Sequence, residues 1–134
     1  FGDTRDKAVA KRSSQADHDR MVRLVANSLM DKGYYDIRAV VPGFENPNRR
    51  TWPGTNKGHV PDVTAHGMQF NILEVETEDS IRDEHTEDQW ALFANFARTR
   101  YSVFWLVVPA GCKEQAEQRL TSIGIEAKVW EVGT

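Results

Sequence analysis

Cys112 is the single cysteine in 134 residues, which excludes an intramolecular disulfide and any cysteine-clustered zinc site. No apolar run is long enough to cross a bilayer, and the most apolar window, Val103 to Ala110, has the length of a strand. The first residues, FGDTRDKAVAKRSS, lack the apolar stretch of a signal peptide and mix both charge signs, so the cytoplasm is the expected compartment. Neither GxGxxG nor GxxxxGK[ST] occurs, and no HxxxH or HxH spacing marks a zinc centre. No serine lies in a Gly-x-Ser-x-Gly context, which leaves a hydrolase triad without support. Internal repeats and low-complexity tracts are missing too.

What is present is globular. A hydrophobic content of 40% and a charged content of 28% fit one domain with one core. We expect that domain over residues 17–134, after a flexible basic and polar segment at 1–16. The net charge of −3 conceals an asymmetry: residues 1–58 hold 11 Lys/Arg against 7 Asp/Glu, and residues 59–134 hold 6 against 13. Between Glu74 and Asp88 stand eight acidic residues and one basic residue, Arg82. Such density repels itself unless water, salt or a cation compensates it. A solvated acidic face is the ordinary explanation.

Periodicity supplies the order of elements. From Asp17 onward Met21, Leu24, Val25, Ser28 and Leu29 recur at helical spacing, and Gly33 stops the helix. YYDIRAVVP alternates Tyr35, Ile37, Ala39 and Val41 against Asp36 and Arg38, as a half-buried strand does. Pro42 to Gly58 holds three Pro, three Gly and three Asn, and reads as one long loop. Strands follow at His59–Ala65 and Phe70–Glu76, joined by a tight connection. A helix at Thr86–Arg98 opens with Thr86 and Gln89 in capping-box spacing and places Trp90, Phe93 and Ala97 on one face. YSVFWLVVP reads as a central strand, CKEQAEQRLTSIG as a short helix and IEAKVWEV as a last strand. The order is α-β-β-β-α-β-α-β, an α/β domain with a mixed sheet flanked by helices.

Within the Phe70–Glu76 strand, Glu74 and Glu76 point to one face. If the hairpin loop is Gly67 to Gln69, Ala65 faces Asn71 and Asp62 stands opposite Glu74; a slip of one residue would part them. Like charges placed so are unfavourable. A hard divalent cation relieves them, because Mg²⁺ takes one or two protein carboxylates and completes its shell with waters and phosphate oxygens.

Pro61-Asp62 followed by Glu74-Val75-Glu76, within this order of elements, resembles the PD-(D/E)xK or restriction-endonuclease-like nuclease superfamily over residues 17 to about 108. The resemblance implies a restriction-endonuclease-like fold and a metal-dependent nuclease with Mg²⁺ or Mn²⁺ held by Asp62 and Glu74. The family's usual Lys is Glu76 here, which implies a base for a metal-bound water or an additional ligand. Exonuclease-like branches carry a Gln and an aromatic four residues apart on the next helix, as Gln89 and Phe93 do. That makes Gln89 a group near the metal, or else part of the capping box with Thr86. Holliday-junction resolvase relatives add a Glu on the first helix, where this chain has Asp17, His18 and Asp19.

His18, His59 and His85 are candidate accessory groups, although a lone His at an element end is more often solvated or capping. Arg49, Arg50, Trp52 and Lys57 in the long loop combine charge with an aromatic plane, which suits nucleic acid, with Lys7, Lys11 and Arg12 as a basic arm. A pI near 5.8 is low for such a partner. Nucleic acid, DNA before RNA, is the expected partner, with a homodimer compatible and no membrane. The second expectation is a non-cleaving module of the same fold that binds protein or nucleic acid. A third, a small-molecule binder built on Trp90 and Phe93, rests only on an aromatic pair that is usually core.

Overall fold

The computed structural model describes residues 2–133, with side chains from residue 15 onward. Helix α1 (Gly2–Asp31) is followed by strands β1 (Tyr35–Ala39), β2 (Arg50–Thr51), β3 (Gly58–His59), β4 (Val63–His66) and β5 (Phe70–Val75). A 3₁₀ turn (Ser80–Arg82), α2 (His85–Thr99), β6 (Val103–Val108), α3 (Lys113–Ile123) and β7 (Lys128–Glu131) complete the chain. Five strands form one mixed sheet in the order β1-β4-β5-β6-β7; β4 is antiparallel to β1 and β5, while β5, β6 and β7 are parallel. β2 and β3 form a separate antiparallel ribbon inside the segment read as an unbroken loop.

Both faces of the sheet are covered. Val22, Val25, Ala26 and Leu29 of α1 pack with Ala39, Val63, Ala65, Leu73 and Val75 on one face. On the other, Trp90, Phe93 and Ala97 of α2 and Ala116 and Leu120 of α3 pack with Ile72, Phe104 and Leu106. β5 and β6 lie between neighbours on both sides, which accounts for their near-continuous apolar runs.

Several boundaries differ from expectation for physical reasons. α1 is helical from Gly2 and not from Asp17, and the side chains of Lys7, Lys11 and Arg12 lie outside those described. Its buried stripe contains Val22 and Ala26, so Leu24, on the flank, is 45% exposed. β1 carries a register shift between Tyr35 and Arg38, with Asp36 at φ 48, and this bulge turns Tyr35 out to 62% exposure. The strand expected over 59–65 divides into β3 and β4, because Pro61 has no N–H to give a ladder. The capping box is not formed: α2 begins a residue earlier, and the Thr86 hydroxyl donates to the carbonyl of Asp83 at 2.7 Å. Asp83 itself accepts from the backbone N–H of His85 at 2.9 Å.

The hairpin has the register needed to pair the carboxylates. Val63, Thr64, Ala65 and His66 face Leu73, Ile72, Asn71 and Phe70, and the Gly67 N–H closes on the Gln69 carbonyl at 3.0 Å. The ribbon is the more fragile part, since a methyl group at Gly58 would run into the backbone carbonyl of Arg50 across it. Gly58→Ala is expected to cost about 1–3 kcal/mol, the usual range for overpacking against an element that cannot shift. The check is a lowered urea midpoint with lost amide protection at Trp52, whose N–H donates to the Lys57 carbonyl.

Candidate functional site

Asp62 and Glu74 meet where β4 and β5 end. The Asp62 N–H donates to Glu74 Oε1 at 3.0 Å, and the Val75 N–H donates to Asp62 Oδ2 at 2.8 Å. Each carboxylate thus takes a backbone bond from the opposite chain segment. Glu74 is only 5% exposed. Its burial, then the charges of Asp62 and Glu76, push its pKa well above the usual carboxylate range, and its carboxyl hydrogen-bonds that of Asp62 when protonated.

Glu76 lies one repeat further along the same face, 4% exposed. The Ser80 hydroxyl donates to Oε1 at 2.6 Å and the Trp90 indole N–H to Oε2 at 2.9 Å. Burial raises its pKa to about 7, against the opposing effect of these two bonds. Near neutral pH it is divided between acid and carboxylate, the condition that favours proton transfer in either direction.

Among the described residues of α1, His18 reaches the pair. His18 Nε2 lies 3.1 Å from Asp62 Oδ2, and Nδ1 is 3.3 Å from Asp19 Oδ1. Burial opposes charging of the ring, but hydrogen bonding to Asp62 and its charge outweigh this, with Asp19 assisting, and the pKa rises to about 9. Sequence spacing placed His18 only among accessory groups. Ser80 and Trp90 were not foreseen at all: Ser80 has no motif, and Trp90 reads as core from its helical face.

Asp62, Glu74, Glu76, His18 and Ser80 line a cleft of about 280 Å³ that also receives Gln89, His85, Asp83 and Gln15. Asp62, Glu74, Glu76, Gln89, His18 and His85 are therefore brought together. His59 is not; it sits on Asp88 at 3.3 Å, outside the cleft lining. Asp17 pairs with Arg20 at 2.8 Å. None of Arg49, Arg50, Trp52 and Lys57 lines the cleft either. Arg49 donates to the Asn56 carbonyl at 2.7 Å, Trp52 packs with the α2 core, and Lys57 is exposed.

No family model matches the sequence, and no curated protein or solved structure matches it. The chemistry has to be read from the cleft. Among the described residues no group of three or more His, Cys, Asp or Glu stands at metal-ligand spacing. The pair formed by Asp62 and Glu74 offers hard oxygens and an excess of buried negative charge. That donor set fits Mg²⁺ or Mn²⁺, for which a carboxylate pair with waters is common.

The pKa shifts share one sign in their effect on stability. A carboxyl group whose pKa is raised by folding binds more protons in the folded chain, so Glu76 makes stability fall as pH rises from about 4.5 to about 7. Glu74 acts in the same direction. His18 contributes stability that is full below 6.5 and is lost as pH rises through about 9. Metal-free protein is therefore expected to unfold at progressively lower temperature from about pH 5 to about pH 9, and Glu76→Gln to remove the lower part of that decline. A level Tm across this range in thermal scans would contradict the assignment of these shifts.

Proposed function

We propose that the protein is a metal-dependent phosphodiesterase acting on nucleic acid, of PD-(D/E)xK type on a restriction-endonuclease-like core. The observation that carries this is the Asp62–Glu74 pair, a half-buried and a buried carboxylate held together by reciprocal backbone bonds inside an open cleft. Asp62 and Glu74 would hold Mg²⁺ or Mn²⁺. When bound, the ion supplies Lewis-acid polarisation of a phosphate and acidification of water.

The remaining work falls to the chain's own groups. Glu76, with a pKa of about 7, accepts the proton of the attacking water, while Ser80 and Trp90 fix its two oxygens. His18 holds Asp62 from the α1 side. The Gln89 amide, at the cleft wall, provides a neutral donor for a phosphate oxygen. The second reading, a non-cleaving module, is favoured by one specific observation: the motif Lys is replaced by a carboxylate already engaged in two hydrogen bonds.

Glu74→Gln separates these possibilities. Removing a buried charge that two neighbours repel is expected to raise metal-free stability at pH 8, and at the same time to abolish the response to metal. In the wild type, Mn²⁺ at 100 times its Kd should add about 2.7 kcal/mol to stability. Because burial and neighbouring charges hold the Glu74 pKa well above the usual carboxylate range, metal binding is expected to release protons at pH 7, seen by calorimetry in buffers of different ionisation enthalpy. Cleavage of single-stranded, duplex or branched substrate, lost in Asp62→Asn and Glu74→Gln with the fold retained, is the required outcome for the enzyme. Metal stabilisation with no cleavage of any substrate would select the non-cleaving module.

A further inference from the structure

A second cleft, of about 340 Å³, opens at the opposite end of β4 from the carboxylates, and its lining is basic. Arg38 of β1, Arg50 of β2 and Arg100 just after α2 converge there, with His66, Asn48 and Ser102. Arg50 and Arg100 both lie over the ring of Phe96, their guanidinium carbons 4.4 and 4.5 Å from its centre. Among the described residues neither guanidinium has an ion pair or a hydrogen bond, and Arg50 Nε is buried without a partner. Two cations held together on one ring repel each other; burial and the charge of Arg100 both lower the Arg50 pKa. Asp36, the one carboxylate in the lining, is already shared between Arg38 at 3.5 Å and His66 at 3.4 Å. An anion with several oxygens would satisfy Arg50 and Arg100 together.

The surroundings narrow the class of anion. Among the described residues, both non-glycine residues with left-handed backbone, Asp36 and Tyr101, border this cleft, Tyr101 between the lining residues Arg100 and Ser102. Such conformations persist where the surrounding structure imposes them, commonly at ligand sites. The bulge at Asp36 lays the Tyr35 ring on His66, stacked at 5.6 Å and 23°, with its outer face in solvent. Guanidiniums beside an exposed aromatic plane are the elements by which single strands are held, the charges on phosphate and the ring under a base. We infer that this cleft seats a phosphate group of a nucleic acid strand between Arg38, Arg50 and Arg100, with Tyr35 stacking the adjoining base. The inference rests on the proposed function for the nature of the ligand, but not for the charge arrangement. From Asp62 to His66 is four residues along β4, so about 13 Å separates the two clefts.

The test is fluorescence anisotropy with 3′-labelled oligothymidine and oligouridine of about 12 nucleotides, each with and without a 5′-phosphate, in EDTA so that cleavage plays no part. Arg100→Ala and Arg38→Gln are expected to weaken binding roughly tenfold each, as loss of a hydrogen bond to a charged group does. Each should also lower the slope of log K against log salt by about one. Arg100 is exposed, and matching circular dichroism spectra separate a binding defect from a folding defect. Tyr35→Ala should weaken binding without changing the salt slope. Binding only with the 5′-phosphate assigns a terminal phosphate, and equal binding without it assigns an internal phosphodiester. Wild-type affinity in the Arg38→Gln, Arg100→Ala double variant, or no binding of either strand by the wild type, overturns the inference. Strand binding with no cleavage would sink the phosphodiesterase alone, and cleavage indifferent to Arg38 and Arg100 would sink the basic cleft alone.

Discussion

The Asp62 N–H donates to Glu74 and the Val75 N–H donates to Asp62, so the β4–β5 ladder ends in side-chain carboxylates where Pro61 prevents it from continuing as backbone. The consequence is a pair of acids held where their charges oppose each other, one of them almost fully buried. A buried carboxylate without compensation is expensive, and nearby structure supplies what it can. α1 brings the His18 cation to Asp62, the 3₁₀ turn brings the Ser80 hydroxyl and α2 brings the Trp90 N–H to Glu76. Three separate elements are thus positioned by one local charge problem. Among the described residues, the hydrogen bonds and ion pairs from these elements go to Asp62 and Glu76, while the pKa of Glu74 stays well above the usual carboxylate range through burial and the charges of its two neighbours.

The acidic run from Glu74 to Asp88 divides along these lines. Glu74 and Glu76 turn inward, Asp83 caps the first turn of α2, Glu87 pairs with Arg119 at 2.7 Å and Asp88 meets His59. A solvated face accounts for the outer members only. The excess of positive charge in residues 1–58 is used at the other end of the sheet, where Arg38 and Arg50 meet Arg100 from the second half. Charge is therefore segregated along β4, negative at its start and positive at its end.

Much of this was legible from the residues, and the rest was not for definable reasons. The facing of Asp62 and Glu74 follows from a two-residue period and a short loop at Gly67–Gln69, both local properties of the chain. The mixed sheet and its three helices follow from the same kind of periodicity. His18 and Trp90 belong to the site through contacts 44 and 14 residues away in sequence, which no local pattern encodes. The basic loop was correctly seen as basic, yet Arg50 gained its place from a two-residue ribbon too short to show a period, and from Phe96 and Arg100 on another element. Tyr35 was read as inward because alternation was continued through a bulge, and a single added residue reverses the face.

The environment of Glu76 bears on the proposal, in which a carboxylate stands where the superfamily it resembles has a lysine. Trp90 presents an indole N–H, which donates and cannot accept, and it is fully buried. A lysine at 76 would oppose its ammonium donors to that N–H and leave the indole without an acceptor, a defect of about 1–3 kcal/mol for a buried polar group. The Ser80 hydroxyl could adapt to either residue, since it donates and accepts, but the indole could not. The pocket is matched to an acceptor at this position on the side that cannot rearrange. That matching argues for a pocket built to hold a carboxylate at position 76, one whose burial raises its pKa to about 7.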